Sequence, residues 1–340
     1  MDQARLSEEK TAAEWRFSPF VPRAPWWGGD LQTLSGFFLP HRAPLADYPQ
    51  ERLILPLGDG SGDALSVALS RPKQEAGKPL VVLIHGLSGD EGSFYMKNSA
   101  AHLLARGYPV LRLNVRGAGP SRPLCRLYYH AGRSHDLELA FASLPSALTA
   151  QGIVAIGYSL GANVLLKYMG ERGTATPLKA AVSVSAPLDL AGTSRRLMQR
   201  RSYVYQQYML RDMRIEAVSH AAEVTATERE AILGARTIWE FDHRFTAPRN
   251  GYPSAESYYA DNSGERYLNG IAVPTLVVYA LDDPWIPADA YRRFDWRRQP
   301  DLVPLLPESG GHVGFQGSDR SMAWHDQAIL QFLDRAISPP

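Results

Sequence analysis

The feature that most constrains the fold is the segment Gly157-Tyr158-Ser159-Leu160-Gly161, which lies between two different apolar patterns. The run 153–157 is typical of a strand buried on both faces, and 160–170 repeats apolar residues at helical spacing. A sharp turn from a strand into a helix strains the backbone of its central residue and exposes that side chain at the helix N-terminus. Small residues two positions to either side prevent clashes in such a turn. We therefore predict that Ser159 is a nucleophile.

Short apolar runs alternate with helix-like stretches along most of the chain. The predicted strands are 52–57, 80–85, 109–114, 153–157, 180–185 and 274–280, and the predicted helices are 93–106, 133–148, 160–170 and 321–336. Alternation of this kind predicts an α/β fold with a mostly parallel sheet and helices on both faces.

The alternation stops in one internal stretch, which is polar and rich in arginine and tyrosine and has a helical character. We predict that this stretch, 188–270, is an inserted helical lid, and that 51–187 and 271–340 together form the catalytic core. Residues 1–50 contain many aromatic side chains without a clear period. They are predicted to wrap the core as an irregular N-terminal segment.

A serine hydroxyl needs a base within hydrogen-bond reach and an acid that fixes the tautomer of that base. Asp283 follows the predicted strand 274–280, and it is our choice for the acid, with Asp282 as the alternative. His312 follows the apolar run 302–307, which we expect to be the next strand, and the two glycines before it allow the loop to return over the sheet. The order serine, aspartate, histidine predicts a catalytic triad.

The oxyanion of an acyl-transfer reaction needs two backbone N–H donors. The residue after the nucleophile, Leu160, supplies one in such a turn, and the loop after an earlier strand supplies the other. Leu87, in the glycine-rich segment 85–89 after the strand 80–85, is the predicted second donor.

Composition excludes several other classes of protein. The formal net charge is +1, so no global field favours nucleic acid. Zinc and P-loop motifs are missing from the sequence, so we expect neither a metal nor a cofactor. One cysteine, no signal-peptide pattern and no apolar run of transmembrane length lead us to expect a soluble, cytoplasmic protein. Peripheral contact with a lipid surface stays open, and so does the oligomeric state.

Several ordered motifs resemble the YheT-like branch of the α/β hydrolases, which includes the abhydrolase-domain lipases and esterases. They include Pro25-Trp26-Trp27, Gly29 to Thr33, 85–93, Asn114 to Gly117, Tyr129 to Gly132, Asp136, 157–163, Phe241-Asp242, Thr246 to Pro248, Gly251-Tyr252, Tyr258-Tyr259, 282–284 and 310–315. The resemblance implies an α/β-hydrolase fold and a carboxylic-ester hydrolase that acts on acyl or lipid esters, with Ser159, Asp283 and His312 as its triad. Asp30 departs from this family, which commonly has histidine before the Leu-Gln-Thr sequence.

Three alternatives to a serine carboxylesterase remain from the sequence. An acyltransferase or a thioesterase would use the same triad with a different acceptor or donor. A non-catalytic ligand-binding protein could also use this fold, because a fold alone does not imply an activity.

Overall fold

The central feature of the computed structural model is one twisted sheet, and the structure describes residues 15, 17–39, 45–74, 76–219 and 224–337. The sheet has eight strands in the order β1-β2-β4-β3-β5-β6-β7-β8. The strands are β1 Gln50–Pro56, β2 Ala64–Ser70, β3 Leu80–Ile84, β4 Val110–Leu113, β5 Ile153–Tyr158, β6 Leu178–Val184, β7 Thr275–Val278 and β8 Leu302–Leu305. The predicted absence of a signal peptide concerns residues 1–14, which lie outside the described residues.

All strand pairs from β4 to β8 are parallel, whereas β2 pairs antiparallel with both β1 and β4. The prediction of a mostly parallel sheet is confirmed, and every predicted strand is present within a few residues. The prediction missed β2, although six of its seven residues are buried. Its small Ala and Ser side chains dilute the apolar signal that marks the other buried strands.

Helices cover both faces of the sheet, and each face has its own large apolar cluster. The helices are α1 Gly29–Phe38, α2 Phe94–Ala105, α3 Ser134–Ala142, α4 Ser146–Thr149, α5 Leu160–Arg172, α6 Leu190–Leu197, α7 Tyr203–Ser219, α8 Ala226–Gly234, α9 Ile238–Phe241, α10 Ala247–Arg249, α11 Ala255–Asn262, α12 Asp289–Arg293 and α13 Trp324–Ala336. No helix in the described part of the chain combines the length and apolar character needed to cross a membrane.

The predicted helix 133–148 is two helices. α3 ends at Ala142, and α4 begins only after Pro145, whose backbone is extended with φ −55° and ψ 131°. A proline disfavours helical geometry in the residue before it, here Leu144, so the pattern of apolar residues continues while the helix does not.

Between β6 and β7 the described chain has helices and turns but no strand. These elements bury apolar side chains in two further clusters, one around Phe241 and Met213 and the other around Tyr258 and Tyr259. A π-helical turn, Asp242–Thr246, lies between α9 and α10. The helical character predicted for this stretch is present, and its role as a lid stays a prediction.

A buried ion network is centred on Arg116 in the loop after β4. Arg116 is fully buried, and its guanidinium donates to Asp59 at 2.6 Å, to Asp63 at 2.8 Å and to Asp136 at 2.8 Å. These carboxylates hold the pKa of Arg116 above its ordinary value in spite of burial. The network joins the β1–β2 connection to α3, so its role is structural.

Replacing Arg116 with leucine is expected to lower the free energy of unfolding by about 3–5 kcal/mol, because the change leaves buried carboxylates without their cation. Urea unfolding followed by tryptophan fluorescence measures this loss. Arg195→Leu is the control, since Arg195 is exposed and its ion pair with Asp189 is long, at 3.9 Å. An unfolding midpoint for Arg116→Leu equal to that of the control would contradict the structural role.

Candidate active site

Ser159 occupies the turn between β5 and α5, with φ 51° and ψ −120°. This is the left-handed half of backbone space, which costs free energy for any residue with a side chain. A Cβ added at Gly157 would lie 2.6 Å from Cα of Ala162, and one at Gly161 would lie 2.3 Å from the carbonyl oxygen of His85. The two flanking glycines are therefore required for the turn to close.

A continuous row of hydrogen bonds runs from the serine to an aspartate. His312 Nε2 lies 2.9 Å from Ser159 Oγ, and His312 Nδ1 lies 2.8 Å from Asp283 Oδ2. The second oxygen of Asp283 accepts from the backbone N–H groups of Trp285 and Ile286 at 2.8 and 3.0 Å. His312 and Asp283 are both buried, so water competes little for these bonds. The structure thus brings together the three residues predicted as a triad.

Asp282, the alternative acid, makes a different contact. Its Oδ1 accepts from the N–H of Gly311 at 2.9 Å, in the loop that carries His312. Burial raises the pKa of the Asp282 carboxyl, and the bonds from the backbone oppose that effect. Asp282 therefore shapes the histidine loop, while Asp283 contacts the imidazole.

The helix α1 packs against the loop that carries His312. The sequence did not predict this contact. The N–H of His312 donates to Thr33 Oγ1 at 2.9 Å. A Cβ on Gly311, which has φ 60°, would lie 2.4 Å from the carbonyl oxygen of Gly29, and a Cβ on Gly29 would lie 1.9 Å from that of Asp282. The resemblance included Gly29 and Thr33 but gave them no role, and no periodic pattern marks them.

Asp30, which departs from the family pattern, joins α1 to α7. Its carboxylate accepts from the Tyr205 hydroxyl at 2.9 Å and from Arg201 at 3.1 Å. Tyr205 in turn contacts the ring of Trp285, whose centroid lies 4.3 Å from that of the His312 imidazole. The first turn of α7 is therefore held close to the histidine.

The two predicted oxyanion donors both line the cavity that contains Ser159. In the described ranges, the N–H groups of Leu87 and Leu160 have no hydrogen-bond acceptor. The neighbours of Leu87 do have acceptors: Gly86 donates to the Tyr95 hydroxyl at 2.9 Å, and Ser88 donates to the Tyr129 hydroxyl at 2.8 Å. Two backbone donors next to the serine are thus left for a ligand.

The cavity has a volume of about 320 Å³, and its lining includes the loops after β3, β5 and β8 and the helices that follow β6. Much of its wall is apolar, and a smaller part is polar. The apolar side chains include Phe37, Phe94, Leu197, Met209, Met213 and Ile238, and the polar ones include Thr193, Ser194, Asp212, Asp242, Thr246 and Tyr259. The described residues contain no group of three or more His, Cys, Asp or Glu side chains placed to hold a metal ion.

A mostly parallel sheet with a serine on a tight strand-to-helix turn, hydrogen-bonded to a histidine from a later loop, defines the class of α/β hydrolases. The chain belongs to this family. A model of the α/β hydrolase fold matches residues 79–317.

Relatives place the chain more closely. It is 32% identical to the putative esterase YheT of Escherichia coli strain K12 over 320 residues, which cover 92% of each chain. It is 28% identical to the phospholipase ABHD3 of Bos taurus over 326 residues, or 94% of this chain and 79% of the relative. The solved esterase Pf2001 of Pyrococcus furiosus shares the fold, with a TM-score of 0.60 and 16% identity over 95% of this chain and 99% of that one. The chain thus belongs to the YheT and abhydrolase-domain branch of the esterase- and lipase-type α/β hydrolases, as the sequence predicted.

Proposed function

We propose that this protein is a carboxylic-ester hydrolase that works through an acyl-enzyme, with Ser159 as nucleophile, His312 as general base and Asp283 as the acid. The unbroken row of hydrogen bonds, 2.9 Å from serine to imidazole and 2.8 Å from imidazole to carboxylate, carries this proposal. The relatives support it, because two of those compared are described as esterases and one as a phospholipase.

In the first half of the reaction, Ser159 Oγ attacks the ester carbonyl carbon while His312 Nε2 takes the hydroxyl proton. Asp283 accepts a hydrogen bond from Nδ1–H and stabilises the imidazolium that forms. The carbonyl oxygen becomes an oxyanion, which accepts hydrogen bonds from the N–H groups of Leu87 and Leu160. When the C–O bond to the alcohol breaks, the imidazolium gives its proton to the leaving alkoxide.

In the second half, a water molecule replaces the alcohol. His312 takes a proton from this water, which attacks the acyl carbon of the Ser159 ester through a second oxyanion. The bond to Ser159 breaks, the serine recovers its proton from His312, and the carboxylic acid leaves. The cycle consumes only ester and water.

The apolar walls support an ester with an apolar acyl chain as the substrate. Ligand sites of this kind are mostly apolar, with a few polar groups that fix orientation. Unpaired backbone donors beside a serine that is bonded to a histidine favour the catalytic proposal over a non-catalytic binding protein, because acyl transfer needs a nucleophile, a base and oxyanion donors at one point.

The test is hydrolysis of p-nitrophenyl esters from acetate to palmitate, combined with labelling by a fluorophosphonate probe. We expect turnover and labelling together, and the dependence on chain length reports the apolar part of the cavity. Adding an alcohol acceptor and measuring new ester separates hydrolysis from acyl transfer. A folded protein that neither turns over these esters nor reacts with the probe would contradict the proposal.

A further inference from the structure

Asp242 is a buried carboxylate in the cavity that the proposed mechanism does not use. It is 8% exposed and lines the same cavity as Ser159. It begins the π-helical turn Asp242–Thr246, and single π-helical turns frequently occur at functional sites. The sequence analysis found Phe241-Asp242 among the motifs of the resemblance without a role for either residue.

The hydrogen-bond partners of Asp242 in the described residues are neutral hydroxyls. Oδ2 accepts from the Tyr259 hydroxyl at 2.7 Å, and the Thr246 hydroxyl makes a second contact. None of the described ion pairs includes this carboxylate. Burial raises the pKa of Asp242 to about 6, which leaves it mostly ionised at neutral pH. A buried charge without a cation costs free energy, so a site that retains one has a use for it.

The charges around the cavity decide which ligand this carboxylate attracts. The described lining has no Lys or Arg side chain, and it includes a second carboxylate, Asp212. His130 also lines the cavity, but burial lowers its pKa to about 3 and so keeps it neutral. A carboxylate has about four acceptor positions, more than its two hydroxyl partners fill. The polar part of the cavity therefore repels an anion and attracts a hydrogen-bond donor.

We infer that Asp242, oriented by Tyr259, binds the alcohol portion of the substrate, and that this portion carries a hydrogen-bond donor and no negative charge. The inference rests on the proposed esterase function. An unsubstituted acyl chain has no donor, and the apolar walls suit that chain, so the alcohol is the part that reaches Asp242. A hydroxyl and a protonated amine both meet this description.

The experiment compares butyrate esters in pairs of equal size. 2-Hydroxyethyl butyrate is paired with propyl butyrate, and 2-(dimethylamino)ethyl butyrate with 3-methylbutyl butyrate. The measured quantity is the ratio of kcat/KM within each pair, in the wild type, Asp242→Asn and Asp242→Leu. Asp326→Asn is the matched control, because Asp326 is also a buried carboxylate with a pKa raised to about 6, bonded to Ser99 outside the cavity lining.

We expect the wild type and Asp326→Asn to prefer the donor-bearing ester in at least one pair, and Asp242→Leu to lose about tenfold to hundredfold of that preference. If the natural donor is a hydroxyl, Asp242→Asn keeps part of the preference through its amide oxygen. If the donor is a protonated amine, Asp242→Asn loses most of the preference, because its amide oxygen is uncharged.

A wild type without preference in either pair, or a preference that survives in Asp242→Leu, would overturn the inference. Should the leucine variant not fold, Asp242→Asn and Tyr259→Phe give the comparison, since both keep the size of the side chain. Hydrolysis of p-nitrophenyl butyrate and fluorophosphonate labelling are measured in parallel. Their absence from the wild type defeats the proposed function itself, whereas their presence with unchanged ratios defeats only the role of Asp242.

Discussion

Replacing Ser159 with alanine is expected to lower kcat for p-nitrophenyl butyrate by about 10⁵–10⁶-fold and to remove fluorophosphonate labelling. The variant keeps the cavity, the imidazole and the two free backbone donors, but no atom is left to form the acyl-enzyme. The residual rate reports what the N–H groups of Leu87 and Leu160 and substrate binding achieve alone. Initial rates and gel-based labelling of the purified proteins measure both effects.

Ser93→Ala is the matched control for this experiment. Ser93 also lines the cavity, but its hydroxyl accepts from the N–H of Asp90 at 3.1 Å, and no histidine among the described residues bonds to it. We expect this variant to keep its labelling and nearly all of its activity. Labelling that persists in Ser159→Ala and disappears in Ser93→Ala would contradict the proposal and make Ser93 the nucleophile.

The change Asp283→Asn is expected to lower kcat by about 10⁴-fold with little change in KM. An amide N–H facing His312 Nδ1 would force that nitrogen to become an acceptor, which leaves the proton on Nε2. Nε2 could then no longer accept the proton of Ser159. The shape of the site is preserved, so circular dichroism and the unfolding midpoint should match those of the wild type.

Asp282→Asn separates the two neighbouring carboxylates. An asparagine oxygen can still accept the N–H of Gly311, so we expect activity within about tenfold of the wild type. Large loss in Asp282→Asn with little loss in Asp283→Asn would make Asp282 the acid, as the alternative from the sequence had it.

The sequence predicted those parts of the fold that have a local cause. Val- and Ile-rich runs marked β3, β5 and β7 because strands covered on both faces need apolar side chains at every position. The strand β2 is buried too, but Ala64, Ser66 and Ala68 give it a weak apolar signal. The break between α3 and α4 was missed because apolar spacing continues across a proline that the backbone cannot pass as a helix.

The candidate site also has features that the sequence predicts and features that it does not. The turn around Ser159 and the order serine, aspartate, histidine follow from sequence, and the structure places their side chains in contact. The contact of Thr33 with the His312 backbone could not be predicted, because the two residues are 279 positions apart and no local pattern encodes such a contact. The burial of Asp242 could not be predicted from the sequence either, because it depends on how the helices after β6 pack together.

The support that α1 gives to the histidine has a consequence for the order in which activity is gained as the chain folds. Gln32 accepts from the N–H of Gln316 at 2.6 Å across 284 positions, beside the contact of Thr33. Contacts between such distant segments form late, because the long intervening loop must first be closed. The serine turn is held by segments that are nearer in sequence, since the N–H of Ser159 donates to the carbonyl oxygen of Val184 at 2.8 Å. During refolding, helix content should therefore recover before the proposed esterase activity, because a chain without the contacts of α1 lacks the support that positions His312 beside Ser159.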